Sequence, residues 1–137
     1  MNINFLRSLD IYMAAKKSRL TALLMSREHW QQMKQLGSRI EYYAHTHEIG
    51  IGSDYCACCR RYGCDSDECM NVCPLSNGAE CVRERCCHGE YDKFLTVKND
   101  DDTTSEQWTT AAEAVIRDID KAIRRTRYAL KKGKVLA

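Results

Sequence analysis

Nine cysteines fall between Cys56 and Cys87, and none lies elsewhere in the 137-residue chain: Cys56, Cys58, Cys59, Cys64, Cys69, Cys73, Cys81, Cys86 and Cys87. Thiols at this density bind a metal ion, carry an iron–sulfur cluster or pair as disulfides. Zinc takes four tetrahedral thiolate or imidazole ligands, usually offered as pairs a few residues apart. Cys56 and Cys59 form such a pair, because the two residues between them let both sulfurs reach one ion from a tight turn. Cys69 and Cys73 form a second, at i and i+4 on one face of a helical turn. Nine residues separate the pairs, enough for a short knuckle. The simplest first site is therefore Cys56, Cys59, Cys69 and Cys73. A second site can be drawn from the remaining Cys58, Cys64, Cys81, Cys86, Cys87 and His88, most simply without Cys58, and thiolates bridging two ions are the other arrangement. Arg60, Arg61, Arg83 and Arg85 stand close enough in sequence to offset the net charge of about −2 that four thiolates leave on one zinc.

The compartment decides between metal and disulfide. Arg7 and Asp10 interrupt the apolar residues of the first fifteen, and no small-residue cleavage site follows them. No stretch approaches the roughly 18 apolar residues of a membrane span. The expectation is a reducing cytoplasm and no membrane partner. There thiols favour metal, and an odd number of cysteines cannot all pair within one chain. One or two zinc ions are expected, with an iron–sulfur or thiol redox centre as the alternative. A catalytic zinc keeps an open position and usually a carboxylate base nearby. Glu80, Glu84 and Glu90 are near, but at no diagnostic spacing. The zinc is thus read as structural, replacing a hydrophobic core that the cysteine-rich segment is too polar to build.

Three helical regions must hold this segment. Residues 3–24 read as a helix with Ile3, Leu6, Leu9, Met13, Leu20, Leu23 and Leu24 near helical spacing. Either Ser26 caps a second helix or the first continues with a kink; the stretch carries Trp30, Met33, Leu36, Ile40, Tyr43 and His47, is weakened at Gly37 and is ended by Gly50 and Gly52. Residues 53–90 have no sustained period and many turn formers. Tyr91–Val97 fits a short helix or a strand. A long helix then starts from a capping box, either Thr103 with Glu106 or Thr104 with Gln107. Its apolar face is Trp108, Ala112, Val115, Ile116, Ile119, Ala122, Ile123, Ala129 and Leu130, and Lys131, Lys132 and Gly133 end it. At about 28 residues it would be roughly 42 Å long and pack antiparallel on the N-terminal helices. The expected fold is all-α, with an N-terminal helical region at 1–50, a cysteine-rich zinc knot at 53–90 and a C-terminal helical region at 91–137, in one compact domain.

Other residue patterns carry less. His45 and His47 are two apart, so they face different sides of a helix and do not form the H-E-x-x-H pattern. Trp30, Trp108, Tyr42, Tyr43, Tyr91 and Tyr128 fall at helical spacing and read as core or helix contacts rather than base-stacking groups. No glycine-rich phosphate loop and no Ser-His-Asp set is present, so nothing argues for an enzyme. Charge is uneven: residues 1–40 carry +5, 41–95 carry −5 and 96–137 carry +2. Arg117, Lys121, Arg124 and Arg125 fall on one side of the last helix and can contact phosphates. Glu113, Asp118 and Asp120 intersperse them, which favours a solvated face or a contact with the acidic middle of the chain.

From Cys56 onward, the chain has a Cys56–Cys59 pair, then Cys69–Cys73 running into Pro74-Leu75, then Cys81 and Cys86-Cys87. Tyr91-Asp92-Lys93-Phe94-Leu95 and an amphipathic helix from Trp108 follow. Over residues 55–125 this pattern resembles small cysteine-rich proteins of phages and prophages. Cys58, Cys64 and the longer gap between the two pairs depart from it. The resemblance implies an accessory protein made in the bacterial cytoplasm that acts by binding, for example by blocking a host enzyme or an antiviral defence complex. A protein partner is the leading expectation, nucleic acid bound by the basic C-terminal helix the alternative, and the apolar content of the long helix would also suit a homodimer.

Overall fold

The computed structural model describes residues 3–52, 55–63, 73–75 and 89–137. Among them the regular structure is entirely helical: α1 (Ser8–Lys17), α2 (Arg19–Leu36), α3 (Arg39–Ala44), α4 (Ala57–Tyr62), α5 (Gly89–Asn99) and α6 (Ser105–Lys131). The segment expected as helix or strand, Tyr91–Val97, lies inside α5. No helix of the described residues is long and apolar enough to cross a membrane.

In α6 the local signals agree. Gln107 donates its backbone N–H to the Thr104 hydroxyl at 3.1 Å, and the Gln107 side chain accepts from the Thr104 N–H at 2.8 Å. This second of the two expected capping boxes closes the helix start. Trp108, Ala112, Val115, Ile116, Ile119, Ala122 and Ile123 are buried along one stripe. Gly133, at φ +77°, turns the chain out at the other end, after 27 helical residues that span about 40 Å.

The N-terminal half is cut differently from the sequence reading. The chain leaves the helical region at Ser18 (φ −168°, ψ 165°), whose hydroxyl accepts the Thr21 N–H at 3.1 Å and restarts the chain as α2. Ser26, the expected cap, instead sits in the middle of α2 and is 2% exposed. Gly37 adopts φ +78°, a conformation that costs glycine little, and ends α2; Ser38 then caps α3. Each restart resets the helical phase. Tyr42 is therefore buried, whereas Ile40 and Tyr43 face solvent. In α1 the packed residues are Ile11, Ala14 and Ala15, and Leu9 and Met13 are exposed. The small alanines let α1 lie close against α2 and α4.

Helices α2 and α6 form an antiparallel spine. Lys34 pairs with Glu113 at 3.0 Å and Arg27 with Asp120 at 2.6 Å. Between the two pairs α2 steps back and α6 steps forward by the same seven residues. The Trp108 indole N–H donates to the Met33 carbonyl at 2.9 Å, fixing the start of α6 on the last turns of α2.

The two ends of this spine are filled differently. At one, Phe94 of α5 stands 4.8 Å centroid to centroid from both Trp30 and Trp108 in edge-to-face contacts. Tyr42 lies 5.5 Å from Trp108, and Tyr91 lies 6.1 Å from Trp30 and donates its hydroxyl to the Ile51 carbonyl. At the other end, α1 and α4 rest on the first half of α2 through Ala14, Ala15, Ala22, Ala57, Cys58 and Cys59, all buried and all small.

Candidate metal centre

The cysteine-rich segment enters this small-residue end through α4. Cys56 is its N-cap: the backbone is extended (φ −111°, ψ 110°) and Sγ accepts the Cys59 N–H at 3.3 Å. The Sγ thus satisfies one of the backbone donors that the helix start leaves open. Gly63, at φ +68°, ends α4 after six residues, with its N–H on the Cys59 carbonyl. The result is a tight turn from Cys56 to Cys59; the knuckle expected between Cys59 and Cys69 lies largely outside the described residues.

The thiol at the centre of the cluster is Cys58, which the pair spacing leaves out of the first site. It is fully buried. Hydrogen bonding to Cys56, then to Cys73, and then burial push its thiol well above the usual range. Ser26 of α2 donates its hydroxyl to Cys58 Sγ at 3.7 Å and stands 4.0 Å from Cys56 Sγ. Cys73 is 5% exposed and returns the chain to this spot beside Leu75. Among the described residues Cys56, Cys58, Cys59 and Cys73 are thiols, not halves of a disulfide.

His29, one turn along α2 from Ser26, closes the neighbourhood. Its Nε2 lies 2.7 Å from the Gly50 carbonyl. A carbonyl only accepts, so Nε2 carries the proton and Nδ1 keeps its lone pair. Burial lowers the His29 pKa, against smaller upward pulls from Gly50 and Cys56, so the ring is neutral. The ring also stacks on Tyr55 at 6.0 Å. A side chain on Gly50 would put its Cβ 2.4 Å from the Tyr55 ring, so the close approach of these groups requires glycine there.

Of the first expected site, the structure thus brings Cys56 and Cys73 together through Cys58. Cys59 contributes its backbone N–H, and Cys69 lies outside the described residues, as do Cys64, Cys81, Cys86, Cys87 and His88 of the second. Among the described residues no three Cys, His, Asp or Glu side chains form a set able to hold a metal ion. An ion seated here would draw further ligands from those cysteines or His88. In chemistry the described thiols suit a thiophilic ion, as soft donors linked through Cys58 in one buried place, but by themselves they do not complete a site. Sequence reading missed Ser26 and His29. The available signal was two polar residues at i and i+3 between Ala22, Leu23, Trp30 and Met33 on the packed face of a helix.

The nearby cations have defined roles. The Arg61 guanidinium donates to the Ala15 carbonyl at the end of α1, at 2.9 Å, and Arg60 donates to Ser8. Arg125 of the expected basic stripe reaches the Pro74 carbonyl at 3.3 Å and so ties α6 to the cysteine-rich segment. Arg117, Lys121 and Arg124 are exposed on α6, away from the thiols. His45 is half-buried with Nδ1 on the Glu41 carbonyl, and His47 is solvated. No protein-family model, curated protein or solved structure matches this chain.

Proposed function

We propose that this chain is a non-enzymatic, zinc-stapled helical protein that acts by binding a macromolecule. The observation that carries the reading is the inward orientation of the thiols. Cys56, Cys58 and Cys73 gather against Ser26 on the inner face of α2, with Cys58 at 0% and Cys73 at 5% exposure. A catalytic metal needs an open coordination position, and a catalytic thiol needs access and a lowered pKa. Thiols buried between small side chains serve instead to hold α4 and the segment around Cys73 onto the spine. The likeness to phage proteins adds a direction: the partner is a component of a bacterial host, an enzyme or an antiviral defence complex.

Metal analysis by native mass spectrometry on anaerobically purified protein, with a visible spectrum, tests the staple. One or two zinc ions per chain without colour are expected. Iron with visible absorption would replace the reading by redox chemistry, and oxidised thiols without metal would remove it. For the binding role, affinity capture from host cells with reversible crosslinking should retain a stoichiometric complex; recovery of the chain alone would count against it.

A further inference from the structure

The acidic residues that intersperse the basic run of α6 in sequence would neutralise it if all of them faced outward. The structure withdraws two of the three. Glu113 is taken up by Lys34 and Asp120 by Arg27, both on the α2 side of the helix. Asp118 alone stays on the flank. What remains outward over the C-terminal half of α6 is Arg117, Lys121, Arg124, Tyr128 and Lys131, at i, i+4, i+7, i+11 and i+14, a single line opposite the buried stripe. Arg127 and Lys132 border it, with the Lys132 ammonium 5.4 Å from the Tyr128 ring. All are exposed, and among the described residues none of these cations has an ion pair.

We infer that this face binds the phosphodiester backbone of nucleic acid, without reading its sequence. The line from Arg117 to Lys131 runs about 21 Å. A duplex presents roughly a dozen phosphates over that distance, so each cation can find one. Arg and Lys on a straight rod suit phosphate contact, and Tyr128, 64% exposed, adds a hydroxyl donor among them. Base reading also draws on Asn, Gln, Ser or Thr beside the cations, and over residues 117–132 the exposed face has none of these, since Thr126 is buried. An acidic protein would meet the same charges, but the uninterrupted single-sign line matches a polymer of regularly spaced charge better than the mixed surface of a folded partner. The inference adds a nucleic-acid ligand to the protein partner proposed above, on a different surface, and it stands or falls apart from both the zinc analysis and the capture experiment.

The test is fluorescence anisotropy of the full chain with a labelled mixed-sequence duplex of about 20 base pairs, from about 50 to about 200 mM salt. With about five contacts, log affinity should fall with log salt at a slope near −4.5, whatever the sequence. The triple variant Arg117→Glu, Lys121→Glu, Arg124→Glu should keep its helical circular dichroism and melting. It should lose about a hundredfold in affinity and bring the slope to about −2. Lys93→Glu, on α5, should bind as the wild type does. No binding by the wild type at the lowest salt, or binding that the triple variant leaves unchanged, would overturn the inference. So would a poly-glutamate tract bound as tightly as the duplex, which would assign the face to acidic proteins.

Discussion

The two ends of the α2–α6 spine solve the same packing problem with opposite means. The aromatic end buries Trp30, Tyr42, Tyr91, Phe94 and Trp108, each of which removes about 150–250 Å² from water. The thiol end buries Ile11, Tyr62 and Leu75 among the smaller Ala14, Ala15, Ala22, Ala57, Cys58 and Cys59, and each of these small side chains offers little more than about one methyl group of transfer free energy, near 0.8 kcal/mol. The aromatic end is filled by rings that meet one another. The thiol end relies more on close backbone approach and gains less from apolar burial per residue. That difference is where the proposed metal staple would matter, at the end that holds the described cysteines Cys56, Cys58, Cys59 and Cys73.

If the proposed zinc is bound at the thiol end, its removal should separate the ends most sharply. A strong chelator should expose the amides of α4 and residues 73–75 to hydrogen exchange while α5 and the first half of α6 stay protected, because a structural metal supplies folding free energy only where it is bound. Simultaneous loss of protection at both ends would show that they form one cooperative unit and break the comparison.

Trp108→Ala attacks the other end. It leaves a large cavity and takes the indole donor from the Met33 carbonyl, and should cost about 3–5 kcal/mol in denaturant unfolding. A smaller loss than that of any thiol-end substitution would reverse the assignment of which end gains more from apolar burial.

Gly50→Ala sits at the boundary. The new methyl must displace the Tyr55 ring from His29, a loss of about 1–3 kcal/mol. The double variant with Tyr55→Ala should recover part of it, and a cycle of the two measures the coupling.

Ser26→Ala removes the hydroxyl that reaches Cys58 and Cys56, and should cost about 0.5–1.5 kcal/mol in the metal-loaded protein. Its effect should shrink after chelation, whereas that of Trp108→Ala should not.

Asp120→Asn tests the spine that both ends share. Its pair with Arg27 is about a third exposed on each side, so about 0.2–1 kcal/mol is expected, fading at high salt. Equal thermal melts of variant and wild type at low salt would show that the pair contributes nothing to stability.

Legibility in the sequence followed the same division. The long helix α6 could be read almost residue by residue, since its capping box, its apolar stripe and its terminal Gly133 are local signals that agree. The N-terminal helices were misjudged where a single residue resets the phase. Ser18 and Gly37 redirect everything after them, so Leu9, Met13, Ile40 and Tyr43 face out although their spacing placed them in. The tight turn at Cys56–Cys59 was visible as spacing. The part played by Cys58 was not, because ligand-pair rules count intervals along the chain, while Cys58 is placed by what lies across from it: Ser26 on another helix and Cys73 after a long excursion. Which charges of the basic run stay outward was not legible for a related reason. Sequence lists charges in order, but only the pairing of α2 with α6 decides which of them meet solvent.

That pairing also proofreads the assembly of the chain. If α6 slid by one turn in one direction, Arg27 would face Arg124 and Lys34 would face Arg117, like charge against like at both positions. A slide the other way would set Arg27 against Ile116 and Lys34 against Thr109, with no anion for either. Of these three alignments only the observed one satisfies both cations, so two modest ion pairs set the register of the spine against a one-turn slip as well as adding to its stability. Because α6 begins at Ser105, the central helix takes its register from the last quarter of the chain.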